Sequence, residues 1–408
     1  MIEHYVQGTP TFLKMHQHKK QYPYLIENLD TEVVVVGGGV TGAILSYYLT
    51  KNGIDTVVLE KKRIGHGSSC ISTSLLQYEL DENARALEEY SSLDNVVTSY
   101  KLGLKALDEV KKFIDEYGNK CDYEQKDTLL YTAKDEEKPE IEEEYRVRKD
   151  AGLKVKLIKP EDNLYDFDLK LGVYGEEAGA SLNPYDYAHQ LIDVSTANGA
   201  KIYENTSVDQ VIYTKEGVKI ITEYGYEVTA KKVILATGYE TDAFTNKIFG
   251  QKSITYNVVT HPVESFEGWH NTVLIRDNEA TYHYLRTTPD NRIIIGGMDT
   301  PYNKIPVTEE EAKKRYEALF VHLQAMFPRI RPISMDYGCC GVFDSTKDNL
   351  GIVGPDTNQT NLWYCLGYGA NGILFAILGA MMLTKLYKGE VDEDLKLFSP
   401  DRFEGVKK

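Results

Sequence analysis

The sequence predicts an α/β fold with parallel strands, and two observations support that prediction. Two continuous β-branched runs, EVVVV at residues 32–36 and DTVVLE at residues 55–60, have the pattern of strands buried on both faces. Between them, a glycine-rich segment leads into apolar residues at helical spacing over residues 40–49, and Gly53 occupies the position of a C-terminal cap. Strand, helix and strand form a β-α-β unit, whose parallel strands require a right-handed crossover.

The composition is that of an ordinary globular protein with room for two or three domains. The 408 residues include 46 basic and 62 acidic side chains, which gives a net charge of −16, and 42% of residues are apolar. This balance excludes a disordered chain, a collagen-like chain and a small disulfide scaffold. The acidic excess argues against a nucleic-acid partner, because phosphate binding requires clustered Lys and Arg.

The cysteines, the first residues and one uncharged segment bear on where the protein acts. The five cysteines show no CxxC pair and no metal-ligand spacing, so we predict neither a disulfide framework nor a metal site. Residues 1–20 lack the apolar core of a signal peptide. Residues 362–384 carry no charge, but their glycines favour a loop followed by a buried helix over a membrane span. We therefore expect a cytoplasmic protein without a membrane span.

The later segments alternate between helical and strand patterns. Residues 81–117 have an acidic helical spacing, and the charge run at residues 135–144 is typical of a solvated helix face. The remaining segments predict, in order, a helix capped by Gly199 and then a strand (183–208), a hairpin (212–228), a buried strand (233–238), further strands (255–300) and a helix that stops before Pro328 (308–326). No repeat or low-complexity linker separates them, so a second domain must be interleaved with the first.

The strongest chemical signal is GGGVTG at residues 37–42, a GxGxxG motif between a strand and a helix. Gly37 permits the tight turn, Gly39 lets the backbone approach a pyrophosphate, and Gly42 allows the helix to pack closely on the sheet. The helix N-terminus offers unpaired N–H groups to the phosphates. Glu60 ends the second strand, where an acid accepts hydrogen bonds from ribose hydroxyls. Together these residues predict a Rossmann-like dinucleotide-binding domain.

FAD and NAD are both compatible with these residues, whereas the acid at position 60 disfavours the 2′-phosphate of NADP. An NAD dehydrogenase would continue with further β-α repeats. Here VILATG (233–238) follows only after a long interval, and a second glycine-rich block, GYGANGI, occupies residues 367–373. This arrangement resembles that of the FAD-dependent family of D-amino-acid oxidase, glycine oxidase and sarcosine oxidase.

The resemblance extends over nearly the whole chain through separated motifs. KKRIGHGSS (61–69) is similar to the family's loop and helix along the flavin, and residues 184–208 are similar to a helix–strand segment of its FAD domain. Residues 291–299 match a "GR-apolar-GG-x-D" turn, and GYGANGI matches a closing "GxxxxG". Residues 346–354 fit "TxDxxPxIG", with Gly351 in place of the usual proline.

The resemblance implies a two-domain fold and a set of cofactor-binding residues. A glutathione-reductase-type FAD domain would comprise residues 1–90, 180–245 and 335–408, and an interleaved mixed-sheet substrate domain residues 91–179 and 246–334. The residues implied to bind FAD are Gly37, Gly39, Val40, Thr41, Gly42, Glu60, Lys61, Gly67, Ser68, Ser69, Thr73, Val208, Thr237, Gly238, Gly341, Gly367, Gly369, Asn371, Gly372 and Ile373.

The GYGANGI block is expected to influence flavin chemistry. A helix over residues 371–383 would direct its N-terminal N–H groups at the N1–C2=O edge of the flavin, where negative charge accumulates on reduction. From the residues alone, a helix that only packs in the core is as good an interpretation. The resemblance favours the flavin role.

Two substrate-binding arginines of glycine-oxidising relatives are missing, since the matching positions are Phe343 and Ala370. Because a bidentate arginine is the usual clamp for a carboxylate, their loss weakens the prediction of an α-amino-acid substrate. Alternation in YHYLR places Tyr282, Tyr284 and Arg286 on one strand face, and the resemblance implies that this face lines the substrate side of the flavin. An ordinary sheet surface with a solvated arginine is the alternative.

We expect FAD to be bound non-covalently. The cysteine that tethers flavin in sarcosine oxidases matches Gly341, and the tethering histidine of other relatives matches Ile71. The adjacent Cys339 and Cys340 are explained more simply as two buried, inert thiols. Among the histidines, His261 and His283 lie in the predicted substrate domain, and we interpret both as structural or surface residues rather than catalytic bases.

These features predict an FAD-dependent enzyme that oxidises a small amine or amino acid by hydride transfer to flavin N5. The imine product would hydrolyse, and O2 or another electron acceptor would reoxidise the flavin. Two alternatives stay open. One is a dehydrogenase of a 2-hydroxy acid or polyol phosphate, which Arg286 would suit, and the other is a flavin-binding protein without turnover.

Overall fold

A computed structural model describes residues 6–16, 18–303, 307–369 and 371–403. The described chain divides into two compact units, and each unit is assembled from three separate segments. Unit 1 is formed by the described parts of Met1–Met15, Ile71–Asn183 and Lys252–Phe343. Unit 2 is formed by the described parts of His16–Cys70, Pro184–Gln251 and Asp344–Lys408.

The described residues form the following α-helices and β-strands. The helices are α1 (Thr11–Met15), α2 (Val40–Lys51), α3 (Ala84–Leu87), α4 (Leu93–Tyr117), α5 (Lys138–Asp150), α6 (Pro184–Ala197), α7 (Glu309–Met326) and α8 (Gly372–Tyr387). The strands are β1 (Val6–Gly8), β2 (Leu29–Val36), β3 (Thr56–Leu59), β4 (Leu75–Gln77), β5 (Glu124–Thr132), β6 (Val155–Ile158), β7 (Leu171–Ser181), β8 (Lys201–Tyr203), β9 (Val208–Tyr213), β10 (Val218–Thr222), β11 (Glu227–Leu235), β12 (Gln251–Thr260), β13 (Leu274–Asp277), β14 (His283–Thr287), β15 (Ile293–Pro301), β16 (Met335–Ser345), β17 (Ile352–Pro355) and β18 (Leu362–Leu366).

Unit 2 is built on a sheet in the order β17-β18-β11-β2-β3-β8. All neighbours from β18 to β8 pair in parallel, as the β-branched runs predict, and β17 alone in this row is antiparallel. The central valines Val33, Val34 and Val35 are completely buried. Helix α2 packs on β2, and Val34 belongs to a buried cluster that includes Val218 and Ile220 of β10. The predicted hairpin is present as β9 and β10, which continue antiparallel into β11.

Unit 1 is built on a mixed sheet in the order β1-β16-β12-β15-β14-β13-β5-β7-β4, with β6 paired to β7. β5 and β13 run parallel, whereas the pairs of β14 with β13 and β15 are antiparallel. Helix α7 begins with a capping box, in which the Thr308 side chain and the Glu311 side chain each accept from the other residue's backbone N–H. The predicted class, α/β with a parallel dinucleotide-type sheet and a mixed sheet, is confirmed.

The unit boundaries differ from the predicted domain boundaries. Residues 71–90 and 335–343 group with unit 1 rather than with the parallel sheet, because β4 pairs with β7 and β16 pairs with β1. The described residues before residue 16 follow β1 into unit 1, and residues 246–251 join unit 2. These pairings connect segments far apart in the chain, so no local pattern marks where the chain crosses between units.

The acidic charge run lies on α5 and the turn before it, and most of its acids are exposed or half-buried as predicted. For Glu144 the prediction of a solvated face is wrong, because this side chain is 1% exposed. Its carboxylate accepts hydrogen bonds from Arg148 Nε at 2.7 Å, the Tyr100 hydroxyl at 2.9 Å and the Ala84 N–H at 2.7 Å. Burial raises the pKa of Glu144, but the Arg148 charge and these donors outweigh it and hold that pKa below its usual value.

The uncharged segment at residues 362–384 forms β18, a glycine turn and most of α8. The structure therefore adds a strand before the predicted loop and buried helix. In the described ranges, no helix combines the length and the apolar character that a membrane crossing requires.

Candidate functional site

The two glycine-rich turns of unit 2 lie at the same edge of its parallel sheet. β11 pairs in parallel with β2 on one side and with β18 on the other, and Leu235 stands opposite both Val36 and Tyr364. Since neighbouring strands are about 4.8 Å apart, β2 and β18 end about 10 Å from each other. GGGVTG follows β2, and the turn that begins at Gly367 follows β18. This carboxyl edge is where open α/β sheets bind dinucleotides.

Gly37 and Gly42 are required by close backbone contacts. Gly37 has a φ of 110°, and a Cβ on it would lie 2.4 Å from the carbonyl oxygen of Ala236. A Cβ on Gly42 would lie 1.9 Å from the carbonyl oxygen of Gly37. The first contact holds the turn against the end of β11, and the second holds α2 against the turn. Gly39 differs, because its Cβ would approach only Ser69 Oγ, at 3.3 Å.

Glu60 leaves β3 directly beside the first turn. Its Oε2 accepts a hydrogen bond from the N–H of Gly38 at 2.6 Å, and its Oε1 accepts one from the N–H of Lys62 at 2.8 Å. Burial raises the pKa of Glu60, and these two N–H donors oppose the rise. Because a carboxylate has about four lone-pair positions, acceptor capacity is left for ribose hydroxyls.

The N-terminus of α2 presents backbone N–H groups to the same edge. The N–H of Val40 is not available to a cofactor phosphate, because it donates to Ser69 Oγ at 2.9 Å. The N–H groups of Gly39 and Thr41 have no acceptor among the residues that the structure describes. Ser69 therefore caps this helix, and Gly39 and Thr41 are the groups that can serve a phosphate.

Glu204 is a residue of this region that the sequence analysis missed. It is 1% exposed, and its carboxylate accepts from the N–H of Ile64 at 2.8 Å and from the N–H of Tyr22 at 3.0 Å. It therefore fixes the loop that follows Glu60. These partners are 140 and 182 residues away in sequence, so no local pattern reveals the contact. Lys61, on the same loop, forms an ion pair with Glu240.

The second turn is as tightly packed as the first. A Cβ on Gly367 would lie 2.1 Å from the carbonyl oxygen of Gly372, and a Cβ on Gly372 would lie 2.4 Å from that of Gly367. Gly369 has a φ of 75°. The Tyr368 hydroxyl donates to the carbonyl oxygen of Gly238 at 3.1 Å, which joins the turn after β18 to the turn after β11.

Helix α8 starts from this second turn. Asn371 is its N-cap residue and is buried, and Ile373 lies in the first helical turn. The N-terminus of α8 therefore follows the turn at the carboxyl end of β18, and its predicted role toward the flavin stays a prediction. Ala370, one of the two positions without the substrate arginine, lies outside the described residues, and Phe343 is half-buried.

The other predicted cofactor residues of unit 2 lie on adjoining loops. Gly67 precedes a short 3-10 turn at Ser68–Cys70, and Val208 begins β9. Thr237 Oγ1 shares a hydrogen bond with Thr241 Oγ1 at 2.8 Å. A Cβ on Gly67 or on Gly238 would meet no atom within 4 Å, so both glycines border open space.

Two predicted cofactor residues, Thr73 and Gly341, belong to unit 1. Thr73 lies two residues before β4, and Gly341 lies in β16 opposite Val6. The neighbouring thiols Cys339 and Cys340 are buried, as predicted.

Tyr282 and Tyr284 are half-buried in unit 1, with ring centroids 5.9 Å apart. Arg286 is 2% exposed, so the alternative of a solvated arginine is wrong. Its guanidinium lies 5.7 Å from the Phe12 ring centroid and donates to the Leu182 carbonyl oxygen at 3.2 Å. Burial lowers the pKa of Arg286 to about 10, which leaves the group cationic at neutral pH.

His283, Asp277 and His322 form a second polar group in unit 1. His283 Nδ1 is 2.6 Å from Asp277 Oδ2, and the His283 ring stacks on that of His322 at 3.9 Å with an angle of 13°. Potential ligand atoms of the three lie within 4.8 Å of one another. An ion in the plane of one ring would lie well outside the plane of the other, so we assign no metal here. His283 is buried and paired, and the side chain of His261 is 56% exposed.

A histidine of unit 2 is expected to make stability depend on pH. His189, in α6, is 4% exposed and stacks on His18 with ring centroids 3.9 Å apart. Its Nε2 has no hydrogen-bond partner in the described part of the chain. Burial lowers the pKa of His189 to about 3, and the charge of His18 adds to that effect.

Because this pKa lies below the value of about 6.5 in an unfolded chain, protonation favours unfolding. The contribution of His189 is complete above pH 6.5 and is lost as the pH falls. We expect the free energy of unfolding, measured by urea denaturation, to fall by about 2 kcal/mol between pH 7 and pH 5 on this account. His189→Gln should flatten the slope, whereas His261→Gln at an exposed site should keep it. A slope that His189→Gln leaves unchanged would contradict the assignment.

The residues at the edge of the parallel sheet fit the ADP half of FAD. Gly67 and Gly238 border open space, the N–H groups of Gly39 and Thr41 suit a pyrophosphate, and Glu60 suits a ribose. This fold and this edge define a dinucleotide-dependent protein with a Rossmann-type cofactor domain.

Comparisons with known proteins specify the family. Residues 32–386 match the sequence model described as FAD dependent oxidoreductase (DAO). Gamma-glutamylputrescine oxidoreductase of Escherichia coli (strain K12) is 26% identical over 381 residues, which cover 90% of this chain and 86% of that protein. Glycine oxidase of Bacillus subtilis (strain 168) is 24% identical over 387 residues, which cover 92% and 98%. The crystal structure of L-proline dehydrogenase from P. horikoshii matches with a TM-score of 0.78 at 20% identity, covering 94% of this chain and 100% of that one.

The chain belongs to the DAO family of FAD-dependent oxidoreductases. The resemblance drawn from the sequence motifs is thereby confirmed, and the alternative of a flavin-binding protein without turnover is not supported.

Proposed function

We propose that this protein oxidises a small amine or amino acid with FAD that unit 2 binds non-covalently. The observation that carries the proposal is the position of both glycine turns and Glu60 at one edge of one parallel sheet, in a chain of the DAO family. Its relatives include gamma-glutamylputrescine oxidoreductase and glycine oxidase, whose names give an amine derivative and an amino acid as their substrates.

Non-covalent binding is supported by the surroundings of Gly341. The position itself offers no nucleophile. Cys339, two residues before, is completely buried, and its Sγ donates to Asn257 Oδ1 at 2.9 Å. Burial raises the pKa of Cys339 to about 11, so it is a thiol rather than a thiolate at neutral pH.

The residues of unit 2 are assigned to binding and to charge stabilisation. The N–H groups of Gly39 and Thr41 would hold the pyrophosphate, Glu60 the adenosine ribose, and the N-terminus of α8 would favour negative charge on the cofactor ring. When bound, FAD supplies a two-electron acceptor for the hydride of the carbon next to the substrate nitrogen. The nitrogen loses its proton to water, and hydrolysis of the resulting imine releases ammonia, or an amine, and a carbonyl compound.

The side chains that we propose for the substrate side are Tyr282, Tyr284 and Arg286. The buried cationic guanidinium of Arg286 keeps an acid, either an amino acid or a 2-hydroxy acid, as a second substrate class. Phe343, in place of one carboxylate-binding arginine, weighs against a simple α-amino acid.

The proposal is tested by mixing purified holoprotein anaerobically with panels of amines, amino acids and 2-hydroxy acids, and following the flavin absorbance near 450 nm. We expect at least one amine or amino acid to bleach the flavin band during the anaerobic mixing experiment. Readmission of air then shows whether O2 accepts the electrons, because peroxide would appear. A band that only hydroxy acids bleach would replace the proposal with the dehydrogenase, and a band that no panel bleaches would reject both.

A further inference from the structure

Asp299 adds a carboxylate to the tyrosines of unit 1. The Tyr282 hydroxyl donates to Asp299 Oδ2 at 3.3 Å, and the hydroxyls of Thr255 and Tyr284 share a hydrogen bond at 2.9 Å. The rings of Tyr282 and Tyr284, whose centroids are 5.9 Å apart, join these two pairs. We call Tyr282, Tyr284, Thr255 and Asp299 the Tyr–Asp cluster.

An irregularity in β15 brings Asp299 to this cluster. Gly297 and Met298 have φ values of 130° and 56°, and the pairing of β15 with β12 changes register between Ile254 and Tyr256. Such a bulge breaks the alternation of a strand and redirects a side chain, and bulges are common beside functional sites. The ring of Tyr284 lies against Gly296, where a Cβ would come within 2.4 Å of it.

The carboxylate of Asp299 has unused binding capacity. Its Oδ1 is buried and has no hydrogen-bond partner within the described residues. Burial raises the pKa of this group, and the hydrogen bond from Tyr282 opposes the rise. The nearby Arg276 is engaged elsewhere, since it donates to the Leu80 carbonyl oxygen at 2.8 Å and to Asn83 Oδ1 at 3.1 Å.

Given the proposed function, on which this inference rests, we propose that the Tyr–Asp cluster binds a cationic ammonium group of the substrate. Two aromatic rings beside a carboxylate attract a cation and repel a carboxylate. The amine at the reacting carbon must be neutral for that carbon to release a hydride. The ammonium group that the cluster binds is therefore a second amino group of the substrate. The substrate class is therefore an alkyl diamine or a derivative with one free terminal amine.

The Tyr–Asp cluster would recognise the end of the substrate that is remote from the oxidised carbon. Other residues would hold the cofactor.

The first test compares three substrates of equal chain length in anaerobic flavin reduction. They are 1,4-diaminobutane, butylamine and 4-aminobutanoate, which end in an ammonium, a methyl and a carboxylate group. We expect the rate constant per molar substrate to be at least about tenfold higher for the diamine than for butylamine, and lowest for 4-aminobutanoate. Equal values, or a preference for 4-aminobutanoate, would overturn the inference.

The second test uses Asp299→Asn, which keeps the shape and the acceptor for Tyr282, with the exposed Asp168→Asn as control. Asp299→Asn should lower the diamine preference by about tenfold and leave butylamine within about threefold, whereas Asp168→Asn should change neither. Tyr282→Leu should lower the preference as well, and Tyr282→Phe, which retains the ring, should lower it less.

A third measurement does not depend on turnover. Calorimetric titration of the holoprotein with tetramethylammonium should show binding that Asp299→Asn weakens about tenfold and Asp168→Asn leaves unchanged. If no amine bleaches the flavin, the proposed function fails and this titration alone decides the ammonium site. If butylamine is oxidised but tetramethylammonium binds wild type and Asp299→Asn alike, the ammonium site fails and amine oxidation stands.

Discussion

Gly42→Ala is expected to lower FAD affinity by about 100-fold or more, which corresponds to about 2.7 kcal/mol of binding free energy. The added Cβ would lie 1.9 Å from the carbonyl oxygen of Gly37, and neither the turn nor α2 can yield easily, because Gly37 is itself pressed against Ala236. The turn must therefore shift, and the N–H groups of Gly39 and Thr41 move with it. The measurements are the flavin-to-protein absorbance ratio after gel filtration and calorimetric titration of the apoprotein with FAD.

Lys51→Ala is the matched control, since Lys51 is exposed at the other end of the same helix. It should retain wild-type flavin content. Circular dichroism should show that Gly42→Ala is folded, and if it is folded and also binds FAD with wild-type affinity, the assignment of this edge to the dinucleotide is refuted.

Arg148→Met is expected to lower the free energy of unfolding by about 3–5 kcal/mol at pH 7. The Arg148 side chain is completely buried, and it donates to Glu144 Oε1 at 2.7 Å and to Glu79 Oε1 at 2.8 Å. Without it, two buried carboxylates lose their cation. Urea denaturation followed by circular dichroism measures the loss.

The pH dependence of this variant gives a second check. In the wild type the pKa of Glu144 lies below its usual value, so its contribution is present above about pH 4.5 and is lost as the pH falls. In Arg148→Met that pKa should rise, and the penalty should shrink between pH 7 and pH 5 as the carboxylate takes up a proton. Arg146→Ala, at an exposed position of the same helix, should change stability by less than about 0.5 kcal/mol. This account would be contradicted if Arg148→Met lowered the free energy of unfolding as little as Arg146→Ala does, or if its loss of stability grew toward pH 5.

The sequence was sufficient for the parts of the fold that local pattern determines. Three local signals lie within 30 residues of one another: the valine run of β2 indicates a buried strand, the glycines at 37–42 indicate a tight turn, and the acid at 60 marks the end of a strand. The structure contains them as a β-α-β unit. That the glycine turn after β18 lies at the same edge of the sheet could be predicted only from the family resemblance, because the two turns lie more than 300 residues apart in the sequence.

The sequence was insufficient where long-range contacts decide a residue's role. Nothing local distinguishes Glu144 from its exposed neighbours on α5, or marks Glu204 as the residue that holds the loop after Glu60. Asp299 was part of a matched motif, but its position beside Tyr282 depends on a bulge in β15. The roles of the individual cofactor residues, including Lys61 and Val208, stay predictions.

The central strand of unit 2 also has a consequence for biosynthesis. β11, at Glu227–Leu235, pairs on one side with a strand from the beginning of the chain, Leu29–Val36. On its other side it pairs first with β10 and then, at Val233–Leu235, with a strand from near the end of the chain, Leu362–Leu366. During translation the edge of β2 stays unpaired until β11 is made, and the edge of β11 at Val233–Leu235 then stays unpaired until β18 is made, and such edges recruit other chains. Closure of this sheet must await the last tenth or so of synthesis, and its large contact order makes that step slow. Expression at low temperature, or with chaperones that shield hydrophobic strands, should therefore raise the yield of native protein.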